Sequence, residues 1–155
     1  MPPRPPLSAL EAVRKTWASV VAYGGLDTQI LSKMHVVEAC QKSGTVVCEM
    51  EVEKHHLNRV GGLHGGTTCT LTDLGGSLAI AARNGTMYTG VSADLHVSFL
   101  NAGKLGDKLR IYSTCHKSGR TLAFTTVEIK SGDKTIATGS HTKFVGNPPK
   151  DPNSF

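Results

Sequence analysis

Asn58-Arg-Val-Gly-Gly-Leu-His-Gly-Gly-Thr-Thr-Cys-Thr-Leu-Thr-Asp73, continued by Leu74-Gly-Gly-Ser-Leu-Ala-Ile-Ala-Ala-Arg83, is the stretch that decides how this chain folds. Between His64 and Arg83 the one formal charge is Asp73. Cys69, Leu71, Leu74, Leu78, Ala81 and Ala82 recur at roughly helical spacing, and the rest of the stretch is small: Gly, Thr, Ser and Ala. A helix that is apolar or small all round is a buried helix. Gly and Thr are weak helix formers, so packing rather than propensity must hold it. The segments on either side supply strands to wrap around it.

The same stretch suggests a site. A helix opening at His64-Gly65-Gly66 aims free backbone N–H groups, and the positive end of its dipole, at whatever lies before it. Glycine lets a ligand approach that backbone closely. An oxygen gaining negative charge suits such a place. Asp73 follows His64 by nine positions, about 13 Å along the same helix, too far to act at its start. It would reach the helix start of an antiparallel second copy. Read from these residues alone, Asp73 is either a bonded structural carboxylate or a catalytic one, and both readings stand.

With 155 residues the chain has room for one domain with a real core. Hydrophobic residues make up 39% and charged residues 19%, ordinary for a globular protein, and no apolar run is long enough to span a bilayer. Met1-Pro-Pro-Arg-Pro-Pro6 has no signal-peptide core. Residues 10–23, with Arg14 and Lys15, are amphipathic enough for a mitochondrial presequence, although Glu11 and the prolines count against one. The expected location is therefore the cytoplasm, with the mitochondrion as alternative. Cys40, Cys48, Cys69 and Cys115 are scattered without a CxxC pair, so they read as reduced thiols, and no metal site is suggested. The net charge of +5 favours an anionic partner; with 5% aromatics and no basic-aromatic interleaving, a small polyanion fits better than nucleic acid.

Outward from the central helix, the chain divides into a proline-rich, disordered lead over residues 1–7, one domain over 8–147 and a flexible tail over 148–155. Ser8-x-x-Glu11 is a capping box opening a helix to Tyr23, with a stripe of Leu10, Val13, Trp17 and Val20 or Val21, closed by Gly24-Gly25. Lys33–Gln41 reads as a loose strand and Thr45–Glu53 as a clear one with Val46, Cys48, Met50 and Val52 inward. His55 and His56 read as exposed loop residues, and Asn84-Gly85 as the turn after the central helix. Thr89–Asn101 alternates, with Val91, Ala93, Leu95, Val97 and Phe99 predicted inward and Ser92, Asp94, His96 and Ser98 on the other side. Leu109–His116, Leu122–Lys130 and Thr135–Val145 are further strands, joined by hairpin turns at Lys117–Arg120 and Ser131–Lys134. The expected class is α+β: about six antiparallel strands curled around one helix, with an extra N-terminal helix.

These residues carry a resemblance. Asn58…Leu63-His-Gly-Gly66…Asp73, Gly90-Val-Ser92-x-Asp94-Leu, Lys104-Leu-Gly106, Lys117-x-Gly-x-Thr-Leu-Ala-Phe124 and Gly139-x-His-Thr-Lys143 resemble the hotdog-fold acyl-CoA thioesterases, in the branch of acyl-coenzyme A thioesterase 13. The resemblance covers roughly residues 8 to 147. It implies the hotdog fold, a homodimer with a continuous sheet and commonly a homotetramer, and hydrolysis of medium- to long-chain fatty acyl-CoA with no cofactor, coenzyme A being part of the substrate. It implies that Asn58 and the Gly65 N–H polarise the thioester carbonyl and that His64 supports their loop. Asp73 from the facing subunit would be general base or nucleophile, and Ser92 would orient the water. Coenzyme A would lie over Phe99, Leu100, Asn101, Ala102, Gly103 and Lys104, the turn Lys117, Ser118, Gly119, Arg120, Thr121 and Leu122, and Phe144. Lys104, Lys117 and Arg120 would meet its phosphates. The branch often has His where this chain has Phe144, and His141 lies in the matched motif without an assigned role. Two alternatives remain: a hydroxyacyl-thioester dehydratase of the same fold, disfavoured by the spacing from the HGG triplet to Asp73, and a non-catalytic acyl-CoA sensor, disfavoured by the intact polar set.

Overall fold

The computed structural model describes residues 7–153; most of the predicted lead, residues 1–6, lies outside them. The domain is built on the stretch that opened the sequence. It forms one 20-residue helix over Gly65–Asn84, flanked by α1 over Ala9–Tyr23 and the short α2 over Leu26–Leu31, so it is α3. Around it runs one six-stranded sheet: β1 His35–Cys40, β2 Thr45–Glu51, β3 Val91–Phe99, β4 Lys108–Ser118, β5 Leu122–Ser131 and β6 Lys134–Phe144. The strands lie in the order β1-β2-β4-β5-β6-β3, every neighbour antiparallel. This is the expected α+β hotdog architecture.

Small residues on α3 let the sheet come close. A Cβ on Gly75 would stand 2.5 Å from Ser113 Oγ, and one on Gly76 would stand 2.5 Å from Thr125 Oγ1. Leu71, Leu74, Leu78 and Ile80 of α3 pack with Val46, Cys48 and Met50 of β2, Leu109 and Ile111 of β4, and Val127 and Ile129 of β5 in one apolar core. Burying the Cys48 thiol among them pushes its pKa up to about 12. On the far side α1 packs on α3 and β1. Its start is the predicted capping box, with Glu11 N–H on Ser8 Oγ and Ser8 N–H on Glu11 Oε2, and Gly24 closes it in the left-handed region at φ 74°. The buried stripe is Ala9, Ala12, Val13, Thr16 and Trp17; Leu10 and Val20 are only half-buried and Val21 is exposed.

Two further expectations are corrected. His56 is buried, in a 3-10 turn at Lys54–His56, where its Nδ1 accepts from Glu53 N–H and its Nε2 faces Ile30 O at 2.7 Å. Burial holds its pKa below the ordinary 6.5. In β3 the predicted alternation fails at a bulge: Ser92 pairs with Lys143 and Asp94 with Thr142, leaving Ala93 as the extra residue. Ser92 therefore faces the helix along with Leu95, Val97 and Phe99, while Val91 turns to the opposite face. β3 ends the sheet, and its apolar side chains stand open, Val91 at 64% and Phe99 at 59% exposure.

Candidate active site

The chain gathers the predicted residues into two groups at different points along α3. The first surrounds its N-terminus. Asn58 Oδ1 accepts from Val60 N–H (3.0 Å) and Gly62 N–H (3.1 Å), which rolls the loop into a tight turn and leaves the Nδ2 amino group to donate elsewhere. His64 is the N-cap: its Nδ1 accepts from Gly66 N–H at 2.8 Å, so the ring proton resides on Nε2. Its own N–H donates to His56 O, fixing this loop to the buried His56 turn. Gly65 N–H, first in the helix, makes no hydrogen bond among the described residues. A groove of about 320 Å³ opens beside it, lined by Leu63, Thr68, Phe99, Leu100, Asn101, Ala102 and Ile136. Gly103 O receives Leu63 N–H, which binds the Phe99–Lys104 segment to the same loop.

The second group lies around Asp73, more than two turns on. The Asp73 side chain is 45% exposed, the opening in an otherwise buried face. His141 of β6, fully buried, lies with Nδ1 3.2 Å from Asp73 O and 3.6 Å from Asp73 Oδ1. Its Nε2 is 2.9 Å from Ser92 Oγ. A carbonyl can only accept, so Nδ1 carries the proton and Nε2 accepts from the Ser92 hydroxyl. Burial holds the ring below its ordinary 6.5, against the opposing pull of Asp73, which favours this neutral tautomer. Ser92 Oγ is thereby left with lone pairs for a water.

Two charged residues that sequence reasoning missed complete this group. Lys143 is buried, and its Nζ donates to Ser77 Oγ at 2.6 Å; Ser77 Oγ in turn donates to Asp73 O. Burial pushes the Lys143 pKa down, and Asp73 and Asp27 pull it back up. Asp27 of α2 is pushed up by burial and then by the Asp73 charge. The signal for Lys143 was present: it shares the inward phase of β6 with Gly139 and His141. Nothing in the sequence announced Asp27, because α2 is too short to show periodicity.

The remaining predicted residues fall at this second end. Lys117 and Ser118 finish β4, Gly119–Thr121 make the turn, and Leu122 pairs with Phe144. Phe144 also pairs with Val91, the neighbour of Ser92. Within one chain they are therefore separated from Phe99–Lys104, which serves the other end. Among the described residues no group of three His, Cys, Asp or Glu side chains could hold a metal ion, and no helix is long and apolar enough to cross a membrane.

Comparison with known proteins matches residues 60–138, about half of the chain, to the Thioesterase superfamily. Human acyl-coenzyme A thioesterase 13 is 40% identical over 121 residues, 77% of this chain and 84% of that protein. The crystal structure of zebrafish thioesterase superfamily member 2 superposes with a TM-score of 0.78 at 40% identity, covering 90% of this chain and 99% of that one. A thioesterase protein from Streptococcus pneumoniae, solved with coenzyme A, superposes with a TM-score of 0.74 at 25% identity, covering 88% and 98%.

Proposed function

The chain belongs to the thioesterase superfamily and is a thioester hydrolase, and on that premise we propose that it cleaves medium- to long-chain fatty acyl-CoA to free acid and coenzyme A at a site shared by two copies of the chain. The observation that carries this reading is the division of the polar set. A free Gly65 N–H and the Asn58 amino group lie at one end of the N-terminal half of α3, and the Asp73–His141–Ser92 cluster lies at the other. About 13 Å of helix separates them. A two-fold antiparallel dimer brings each cluster to the partner's helix start, and two dimers form the tetramer.

In such a site the thioester carbonyl oxygen accepts from Gly65 N–H and Asn58 Nδ2. Both donors strengthen as the oxygen gains charge. A water donates one proton toward Asp73 of the facing copy and is held by Ser92 Oγ, whose own proton is committed to His141. Asp73 takes the proton as water oxygen bonds to the carbonyl carbon. Collapse of the tetrahedral intermediate breaks the C–S bond, and the thiolate leaves with the proton that Asp73 held. The same two-fold relation brings Phe99–Lys104 of one copy beside Lys117–Leu122 and Phe144 of the other, so Lys104, Lys117 and Arg120 form one basic path for coenzyme A phosphates. The coenzyme A-bound S. pneumoniae relative supports a ligand of this class.

The test is thiol release from acyl-CoA by the wild-type protein and Asp73→Asn. Loss of a general base removes about 10²–10⁴-fold in rate, with acyl-CoA affinity retained. A folded Asp73→Asn protein turning over at the wild-type rate would remove Asp73 from the chemistry.

A further inference from the structure

Lys143 occupies an inward position of β6 and is only 6% exposed. Burying a charge is costly unless it is paired and hydrogen-bonded. An apolar side chain of similar volume in place of a buried ion is often neutral or stabilising. Fold stability alone therefore gives no reason for a lysine here, whereas its surroundings do. Across the sheet Lys143 pairs with Ser92 of β3 on one side and Ala123 of β5 on the other. From that position its Nζ donates to Ser77 Oγ of α3 at 2.6 Å. Ser77 Oγ gives its one proton to Asp73 O at 2.9 Å, so toward Lys143 it can only accept. His141 Nδ1 donates to the same Asp73 carbonyl at 3.2 Å, and its Nε2 accepts from Ser92 Oγ at 2.9 Å. Two inward residues of β6 thus hold one carbonyl of α3, His141 directly and Lys143 through Ser77. The residue so held is the one that carries the Asp73 carboxylate.

The charge acts usefully on both groups that titrate beside it. Burial lowers the Lys143 pKa from its ordinary 10.5, and Asp73 of α3, then Asp27 of α2, pull it back up. That attraction is mutual, so the ammonium favours the carboxylate form of Asp73. Burial lowers the His141 pKa, and Lys143 lowers it further, against the pull of Asp73 and of Asp94 from β3. Asp27, raised by burial and by Asp73, is drawn down by the same lysine. A carboxylate at Asp73 and a neutral ring at His141 are the forms that the proposed hydrolysis uses.

We infer that Lys143 is a positioning residue of the hydrolytic site: through Ser77 it holds the turn of α3 that carries Asp73, and its positive charge favours the ionised Asp73 and neutral His141 with which the site works. The inference rests on the acyl-CoA hydrolase reading above. Lys143 acts through Asp73, Ser77 and His141 and does not itself meet the thioester.

The experiment measures kcat and KM for octanoyl-CoA from pH 5 to pH 9 in the wild-type protein, Lys143→Gln and Lys143→Met. Circular dichroism and urea denaturation accompany the kinetics. Gln keeps an N–H donor for Ser77 Oγ and loses the charge; Met loses both. Asp73 is 45% exposed and Asp27 half-buried, so neither variant strands a fully buried carboxylate, and both should fold. With the cation gone, Asp73 and His141 both take up a proton more readily. The acid limb of kcat/KM is therefore expected to move upward by about one pH unit in both variants, the low end of what a close opposite charge does to a carboxyl. On that limb the loss is about tenfold. KM at pH 8 should stay within about twofold while kcat falls further in Met than in Gln, because only Gln still holds the Asp73 turn. An acid limb unmoved in the folded variants would overturn the inference and leave the hydrolase reading intact. A uniform loss at every pH with a lower urea midpoint, or variants that do not fold, would make Lys143 a structural residue and likewise overturn it. A wild-type protein that releases no thiol from octanoyl-CoA or any other fatty acyl-CoA would overturn the hydrolase reading itself, and this inference with it.

Discussion

His141 is the residue on which the Asp73 cluster turns. It connects Asp73 of the helix to Ser92 of the edge strand, and it does so as a neutral ring. In the unfolded chain the ring titrates at its ordinary 6.5, whereas burial holds the folded value lower. Between those two values the unfolded state binds more protons, so stability falls as pH drops through that window. His56, buried and shifted in the same direction, adds to the effect. Asp27, raised from its ordinary 3.8 by burial and by the Asp73 charge, acts in the opposite direction. Urea denaturation at pH 7.5 and 5.5 should therefore give a lower midpoint at the acid value, with a shallower drop in His141→Gln. A midpoint that stays flat or rises on acidification would contradict the buried neutral assignment. Sequence reasoning found His141 only inside a motif and read His56 as exposed. A lone histidine carries no periodic signal, and its burial is decided by what folds over it.

At the scale of elements, α3 depends on closeness rather than on side-chain bulk. Gly76→Ala tests this directly. Alanine is the better helix former by about 0.8–1.0 kcal/mol, but its Cβ would stand 2.5 Å from Thr125 Oγ1 and 3.0 Å from His141 Nδ1. Overpacking of this kind costs about 1–3 kcal/mol, so the net expectation is a lower urea midpoint together with slower turnover, because the displaced ring is His141. A raised midpoint would show that the helix can back away freely. The long elements were legible from pattern alone: the helix of apolar and small residues, the capping box at Ser8, and the inward sets Val46-Cys48-Met50 and Leu109-Ile111 all stand where alternation or spacing put them. The pattern failed where the backbone departs from strict period. In β3 the bulge at Ala93 shifts phase by one residue, which brings Ser92 inward and turns Val91 out. α2 spans six residues with no side-chain cap, below the length at which a helical stripe can be read.

For the whole molecule, the geometry of α3 and the edge strand makes one demand. Gly65 N–H and the Asn58 amide, the proposed oxyanion donors, and the Asp73 cluster belong to opposite ends of the same helical half, and β3, the strand carrying Ser92, ends the sheet with apolar side chains open. A second copy pairing there would complete two sites at once. The sequence offered half of this through the spacing from His64 to Asp73; the open edge and the separation of Phe99–Lys104 from Lys117–Leu122 needed the folded chain. The measurement that bears most directly on the shared site is complementation between two inactive variants. Asn58→Ala chains and Asp73→Ala chains, differently tagged and each without activity, are mixed and allowed to exchange, and the heterodimer is verified by native mass spectrometry. In a two-fold dimer one site of each heterodimer holds both lesions and the other holds neither. With random exchange about half of the dimers are mixed, so about a quarter of wild-type site activity should return. Verified heterodimers that remain inactive would contradict a site built from Asn58 and Gly65 of one chain and Asp73 of the other.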